Sequence, residues 1–316
     1  MRIALLDDYQ GVALKLAPWA RLPASVEVVV FPDHLDDENA VVDRLAGFDA
    51  VMAMRERTPI TEKLLDRLPQ LRFIVTAGMR NASIDMAAAK RKGIVVSGTA
   101  GLPYPTAELT IGLMLGWARS IAVEDRAIRE GRFQTTLGVG LNGKTLGIIG
   151  LGTLGTRVAK VARALEMNVV AWSQNLTDER AQAAGATRVA KDELLQRSDF
   201  VTIHVVLSER TRNLIGAREL GLMKRTACLV NTSRSPIVDE AALLDALQRG
   251  TIGGAAIDVF GVEPLPRDHP LLVAPNTLLT PHLGYVTEET YRIFYEEALE
   301  DFEAFLAGRP IRVLNG

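Results

Sequence analysis

Cysteine is nearly absent from this chain: Cys228 is the single one among 316 residues. A disulfide within the chain is therefore excluded, and so is a cysteine-rich metal centre. The setting Ala227-Cys228-Leu229-Val230 is that of a small buried hydrophobe on a strand, since an activated thiol needs an electropositive neighbourhood. Histidine is scarce too. There are four, His34, His204, His269 and His282, with no two at ligand spacing, and no metal site is expected. Neither sign of charge dominates, because 36 Lys and Arg stand against 38 Asp and Glu. That balance leaves no footprint for nucleic acid and no polybasic patch for a membrane. Long apolar runs are missing as well: residues 109–118, the most apolar helical stretch, are bracketed by Glu108 and Arg119 and fall short of the roughly 20 residues that cross a bilayer. The opening Met1-Arg2-Ile3-Ala4-Leu5-Leu6-Asp7-Asp8 reads as a strand ending in acids and has no signal-peptide core. A cytoplasmic protein whose partner is a small molecule is the expectation.

What the chain does have is alternation. Short β-rich runs alternate with longer segments of helical period, the pattern of an α/β protein with parallel sheets and helices on their faces. Strands are expected over 3–6, 26–31, 50–54, 73–76 and 94–97, with helices over 36–45 and 61–68 between them. The stretch Gly98-Thr99-Ala100-Gly101-Leu102-Pro103-Tyr104-Pro105 then reads as a linker and hinge. Thr106 is placed to cap a long helix running to about Glu130 and ended by Gly131. A second nest follows, with strands over 145–149, 168–172, 200–205, 227–231, 253–259 and 277–280. Residues 287–307 are helical again, with Ile293, Phe294, Leu299, Phe302 and Phe305 on one face and acids on the other. This last helix is expected to return to the first domain. Two domains result, one of residues 1–99 with 286–316 and one of residues 100–285.

Leu146-Gly147-Ile148-Ile149-Gly150-Leu151-Gly152-Thr153-Leu154-Gly155 contains Gly150-x-Gly152-x-x-Gly155 between an apolar strand and a helical run. That context is the one a dinucleotide fingerprint needs. Gly150 allows the tight turn, Gly152 lets the backbone approach a pyrophosphate, and Gly155 lets the helix lie close on the strand. The helix N-terminus, with Thr153 and Leu154 in its first turn, offers N–H groups to phosphate. Past the next strand, where NAD sites usually place an acid, stands Ser173. With no carboxylate there, NAD or NADP is admitted, and Arg180 is the nearest downstream cation, read as an exposed helix residue. His204 ends a strand and either lines the cofactor cleft or is a satisfied core histidine. His34 and His269, in Pro/Asp-rich loops, are expected to be solvated.

Hydride transfer to a keto carbon needs a proton donor, a cation for the carboxylate and carbonyl, and a held nicotinamide. Three strand ends in the last third supply these types. Val230-Asn231-Thr232-Ser233-Arg234-Ser235-Pro236 puts Arg234 just past a strand, where it can hold a carboxylate in bidentate fashion. Thr280-Pro281-His282-Leu283-Gly284 does the same for His282, and imidazole changes charge near neutral pH. Asp258-Val259-Phe260-Gly261-Val262-Glu263-Pro264 adds two acids. Glu263 is the one to favour the protonated imidazole and fix its tautomer, whereas Asp258, like Thr232, is a candidate for the cofactor.

At these residues the chain resembles the D-isomer-specific 2-hydroxyacid dehydrogenases, a family that includes glyoxylate/hydroxypyruvate reductases and D-3-phosphoglycerate dehydrogenases. The resemblance extends over nearly the whole chain and is most specific in the fingerprint, in residues 230–241 and 255–264, and in Thr280 to Gly284. It implies a Rossmann-type dinucleotide-binding domain and a smaller flavodoxin-like substrate-binding domain. It also implies that Arg234 binds the substrate's carboxylate and carbonyl, that His282 is the acid/base and Glu263 its partner, and that Asp258 lies on the nicotinamide side. The reaction implied interconverts a 2-keto acid and a D-2-hydroxy acid, bound between the domains, which close about the linker near Gly101.

Thr76-Ala77-Gly78-Met79-Arg80-Asn81 looks like the family's substrate loop, with Arg80 where glycine is usual. Gly78, Met79, Arg80 and, after a neighbouring strand, Arg55 are therefore the substrate-binding candidates. Other departures are Ser235 for glycine, Val206 for proline and Ser173 for aspartate. A homodimer follows by analogy. The rival of another class is an NAD(H)-sensing binding protein of corepressor type on the same fold; a formate dehydrogenase reading is disfavoured because that oxidation needs no acid/base pair.

Overall fold

In the computed structural model, which describes residues 1–316, all twelve strands pair in parallel in two separate sheets, so the protein is of the α/β class. The chain divides into two compact units, residues 1–102 with 287–316, and residues 103–286.

The first unit is built from β1 (Arg2–Leu5), α1 (Ala13–Leu16), β2 (Glu27–Val30), α2 (Glu38–Leu45), β3 (Ala50–Ala53), α3 (Glu62–Asp66), β4 (Phe73–Thr76), α4 (Met86–Arg91) and β5 (Val95–Gly98), with strand order β2-β1-β3-β4-β5. Each of α2, α3 and α4 begins at a side-chain cap, Asp37 accepting from Asn39 N–H, Thr61 from Leu64 and Asp85 from Ala88. β3 and β4 are buried at every residue, as strands covered on both faces must be. On one face Ile74 and Val51 pack with Leu45, Leu64 and Ala88 from these helices. The other face carries Phe73, whose ring stacks on Phe305 at 4.3 Å and meets Phe302 edge-on at 5.6 Å, both from the C-terminal helix Glu288–Leu306. The tail beyond that helix runs antiparallel beside β5, with Leu314 N–H donating to Val96 C=O.

Two expectations for this unit are corrected. Asp301 does not sit on an outer acidic face but is fully buried, with Arg312 Nε at 3.0 Å from Oδ1; burial pushes its carboxyl up to about 7 even though Arg312 opposes the shift. His34 is not solvated either. Its Nδ1 lies 2.8 Å from Asp7 Oδ1 and its Nε2 3.3 Å from Asp36, and the hydrogen bond to Asp7 raises its pKa against the opposing effect of burial.

The second unit holds α5 (Pro105–Ala118), α6 (Ile121–Arg129), β6 (Thr145–Ile149), α7 (Thr153–Ala164), β7 (Asn168–Trp172), α8 (Asp178–Ala183), β8 (Thr187–Arg188), α9 (Lys191–Arg197), β9 (Phe200–Ile203), α10 (Ala217–Leu222), β10 (Cys228–Asn231), α11 (Glu240–Gln248), β11 (Gly254–Ile257) and β12 (Thr277–Leu279). Its strand order is β12-β11-β10-β9-β6-β7-β8, the doubly wound arrangement of a Rossmann sheet with one strand added beyond β11. Separate cores fill the two faces, one around Met114, Ile148, Val158 and Val230, the other around Leu194, Val201, Leu229 and Leu247. Cys228 is buried, and burial raises its thiol pKa far above the ordinary value.

The single helix expected from Thr106 to Glu130 is two helices. Ser120 adopts a left-handed conformation (φ 52°, ψ 35°), which breaks the hydrogen-bond ladder between α5 and α6. Thr106 is not the cap: Pro105 takes the first helical position, where a missing N–H costs nothing, and the Thr106 hydroxyl donates to Gly284 C=O at 2.8 Å. After α6, residues 132–140 form an irregular arm exposed throughout, with Phe133 at 78% and Leu137 at 98% exposure. No helix is long and apolar enough to cross a membrane.

Candidate active site

The glycine turn sits where the order of the second sheet reverses, between the carboxyl ends of β6 and β9. Gly150 has φ +100°, and a Cβ there would stand 2.6 Å from His204 C=O, so the turn admits only glycine. Gly155 lies against the Gly150 carbonyl in the first turn of α7, while nothing lies within 4 Å of where a Cβ on Gly152 would be. α7 has no side-chain cap at Gly152, so its first N–H groups, at Thr153 and Leu154, face an open approach. His204, at the end of β9, is not a satisfied core histidine: its Nε2 is enclosed without a hydrogen-bond partner, and burial lowers its pKa to about 4. A bare glycine cradle, an uncapped helix end and an enclosed neutral imidazole suit a pyrophosphate and its flanking nucleotides. The residues present fit a dinucleotide.

Arg234 follows β10 on a turn built by Asn231, whose side chain accepts from Ser233 N–H at 3.0 Å and donates to Arg234 C=O at 3.1 Å. Ser233 Oγ donates to Val205 C=O, which ties this turn to the chain leaving β9. Arg234 Nη1 donates to Ser233 C=O at 2.8 Å. The hydroxyl of Thr232 pairs with that of Thr110 on α5 at 2.8 Å. Asn231 was not among the expected site residues; its signal was present, since an Asn that ends a strand ahead of Ser commonly forms such a turn.

His282 stands three residues past β12 in a left-handed conformation (φ 53°). Its Nδ1 lies 2.6 Å from Glu263 Oε2, and its ring meets Tyr285 edge-on at 5.3 Å. Phe260 N–H donates to the other oxygen of Glu263 at 2.8 Å. Burial pushes the Glu263 carboxyl up, but the hydrogen bond and charge of His282, the Phe260 N–H and the charge of Arg234 outweigh it and hold the pKa below the ordinary range. Asp258, at the end of β11, is completely buried and accepts from Thr280 Oγ1 (2.7 Å), Leu283 N–H (2.7 Å) and Gly284 N–H (2.9 Å). Its carboxyl is pushed up by burial, with these donors and His282 opposing. The structure thus brings Arg234, Asp258, Glu263 and His282 together at the carboxyl edge of the sheet that holds the glycine turn. Ser173 follows β7 at the same edge, half-buried, and Arg180 is exposed on α8.

The remaining candidates lie in the first unit. Arg55 follows β3 with φ 56°, and its Nη1 donates to Ala77 C=O at 3.2 Å. A Cβ on residue 78 would fall 1.9 Å from that nitrogen, so glycine at 78 is what lets the guanidinium lie against the loop. Met79 and Arg80 are exposed on this loop. His269, also expected to be solvated, instead accepts from Leu271 N–H and reaches Glu240 at 3.2 Å. No cluster of side chains is arranged to hold a metal ion.

Residues 111–284, more than half of the chain, match the family described as "D-isomer specific 2-hydroxyacid dehydrogenase, NAD binding domain". The chain is 38% identical to a glycerate dehydrogenase of Methylorubrum extorquens over 93% of its own length and 96% of that protein's. It is 38% identical to a D-3-phosphoglycerate dehydrogenase of Synechocystis over 87% of its length but 50% of that protein's. The chain spans about half the length of the D-3-phosphoglycerate dehydrogenases it matches. Among solved structures, a phosphoglycerate oxidoreductase of Vibrio cholerae superposes with a TM-score of 0.93 at 36% identity, covering 98% of this chain and 99% of that one.

Proposed function

We propose that this chain, which belongs to the D-isomer specific 2-hydroxyacid dehydrogenases, interconverts a 2-keto acid and a D-2-hydroxy acid with a nicotinamide dinucleotide as partner. The observation that carries this reading is the 2.6 Å pair of His282 Nδ1 and Glu263 Oε2, at the strand ends of the sheet that bears the glycine turn.

The reduced nicotinamide, when bound, supplies the hydride taken up at the keto carbon. Arg234, on its Asn231-built turn, holds the substrate carboxylate and polarises the carbonyl. With Nδ1 engaged by Glu263, Nε2 is the nitrogen of His282 that delivers the proton to the carbonyl oxygen, and takes it back in the reverse direction. Glu263 stays ionised because its pKa is held low, and its hydrogen bond to Nδ1 fixes the orientation and tautomer of the His282 ring. Asp258 positions the loop of His282 and is assigned to the nicotinamide side. Gly150, Gly152, Thr153, Leu154 and Gly155 hold the pyrophosphate, with Ser173, His204 and Thr232 as further cofactor contacts. Arg55, Gly78, Met79 and Arg80 are assigned to the substrate. Since Ser173 presents no carboxylate to repel a 2′-phosphate, both NADH and NADPH serve in this reading. The protein is a homodimer, with the exposed apolar side chains of α6 and the arm 132–140 as the face for the second copy. The relatives described above are named dehydrogenases or an oxidoreductase, which lends no support to a cofactor-sensing corepressor.

The test is oxidation of NADH and NADPH with glyoxylate, hydroxypyruvate, phenylpyruvate, 2-ketoisocaproate and 3-phosphohydroxypyruvate, for the wild type and His282→Ala. Turnover that falls by roughly 10²- to 10⁴-fold in the variant supports the reading. Tight dinucleotide binding with no turnover of any acid refutes it.

A further inference from the structure

Helix α5 touches both of the loops that carry Arg234 and His282. It is apolar around most of its circumference and packs across β10, β11 and β12, so a few polar contacts fix its register on the sheet. Near its C-terminal end Trp117 Nε1 donates to Asn276 C=O at 2.8 Å, just ahead of β12, in the space that glycine leaves at 254, where a Cβ would stand 2.5 Å from that nitrogen. In its first turn Thr106 Oγ1 donates to Gly284 C=O at 2.8 Å, on the loop that follows β12. The helix is pinned beyond both ends of one strand.

Gly284 is held on either side of its α-carbon, the N–H by Asp258 Oδ2 and the C=O by Thr106. A Cβ there would stand 3.2 Å from Asp258 Oδ2 and from Thr106 Oγ1, so the His282 loop is seated between the carboxylate and the helix. One turn further along α5, the completely buried Thr110 Oγ1 donates to Thr106 C=O at 2.8 Å and lies 2.8 Å from Thr232 Oγ1. A hydroxyl has one proton to give, so with that of Thr110 on Thr106 C=O it is Thr232 that donates to Thr110. Thr232 belongs to the Asn231-built turn and precedes Arg234 by two residues. A continuous hydrogen-bonded path therefore runs from the Arg234 turn through Thr232, Thr110 and Thr106 to the His282 loop. Packing alone does not ask for a hydroxyl at 110, because a polar group shut away from water is unfavourable unless it is paired.

We propose that Thr106 and Thr110 are positioning residues that set the spacing between the Arg234 guanidinium and the His282 imidazole. This rests on the 2-hydroxyacid dehydrogenase reading above. In that reading the guanidinium grips the carboxylate while Nε2 addresses the oxygen on the neighbouring carbon, and a misplacement of about 1 Å lowers the rate by about 10²-fold. Arg234 and His282 each stand three residues past their strands, beyond the β ladder, and α5 removes the freedom that remains.

The experiment measures kcat, KM, dinucleotide Kd and Tm for the wild type, Thr106→Val, Thr110→Val, the double Val variant, Thr106→Ser and Thr110→Ser, with the cofactor and keto acid that the wild type turns over best. It repeats kcat with the reduced cofactor dideuterated at C4. Valine keeps the outline of the side chain without the hydroxyl, and serine returns the hydroxyl. Each Val variant is expected to lose about 10- to 100-fold in kcat, with KM and dinucleotide Kd within about threefold of the wild type and an isotope effect no smaller than the wild type's, because the transfer itself has slowed. Serine recovers most of the loss. The double Val variant loses less than the product of the two single losses, since both interrupt one path. A kcat within about threefold of the wild type in either Val variant overturns the proposal whatever happens to Tm, for the hydroxyl then serves stability alone. A loss that serine does not recover overturns it too, as do a smaller isotope effect and losses that multiply in the double variant. If the buried Thr110→Val does not fold, the half-buried Thr106 decides by the same measures on its Val and Ser variants. All these outcomes leave the dehydrogenase reading intact, whereas a wild type that binds the dinucleotide and reduces no keto acid overturns that reading and the proposal with it.

Discussion

Asp258 and Gly284 are joined by a 2.9 Å hydrogen bond from the Gly284 N–H to Oδ2, and with Leu283 and Thr280 donating to Oδ1 the buried carboxylate fixes the loop that carries His282. Asparagine at this position offers one acceptor oxygen to three donors and turns an N–H toward another N–H. Leaving a buried donor unpaired costs about 1–3 kcal/mol. We expect Asp258→Asn to lower kcat by about 10- to 100-fold while the Kd for NADH, followed by fluorescence titration, changes by less than about threefold. A Kd that weakens in step with kcat would make the carboxylate a cofactor ligand first and a loop anchor second.

Cofactor choice is open to a single substitution. Ser173 follows β7, where an acid would accept from the adenosine ribose and repel a 2′-phosphate. Ser173→Asp is expected to shift the ratio of kcat/KM for NADH over NADPH by roughly 10- to 100-fold toward NADH, the scale of a gained charge-assisted hydrogen bond and a gained repulsion. An unchanged ratio would place the ribose elsewhere.

Stability has a pH signature at His34. The hydrogen bond to Asp7 raises the imidazole above its ordinary value of 6.5, so the folded protein holds the proton more tightly than the unfolded chain. By linkage this stabilisation is fully present below about pH 6.5 and is lost as pH rises through the elevated folded value. His34→Gln should therefore depress Tm more at pH 5.5 than at pH 9. Equal depression at both would show that packing, not charge, is what His34 contributes.

The assembly has a test of its own. Leu137 on the arm after α6 is 98% exposed, an unfavourable place for leucine unless a second copy covers it. Light scattering should give a dimer for the wild type and a larger monomer fraction for Leu137→Asp. A wild type that is monomeric at micromolar concentration refutes the homodimer.

Much of this arrangement was legible because it rests on short-range rules. The strand 73–76 and the strands 145–149 and 168–172 coincide with β4, β6 and β7, since apolar runs bounded by turn residues leave little choice of boundary. Arg234 and His282 could be named as candidates because each stands three residues past an apolar strand, β10 and β12, and Glu263 because it shares the short stretch after β11 with Asp258. What stayed hidden depends on distant partners or on one dihedral angle. Nothing about Ser120 distinguishes it from a serine that continues a helix, and the two-residue β8 has no pattern to read. His34 and Asp301 look like loop and surface residues until Asp7, 27 residues away, and Arg312 close over them.

The C-terminal helix also bears on how the protein is made. Phe73 is synthesised about 230 residues before the rings that cover it, Phe302 and Phe305. At about 5–20 residues per second, some tens of seconds separate the two events. Throughout that interval residues 103–286 are emerging and hold all the elements of their own sheet, whereas the earlier sheet has one aromatic face open to water. Birth order and folding order are thus reversed: the later unit is ready to complete itself first. The nascent chain keeps Phe73 uncovered until the helix Glu288–Leu306 has been made.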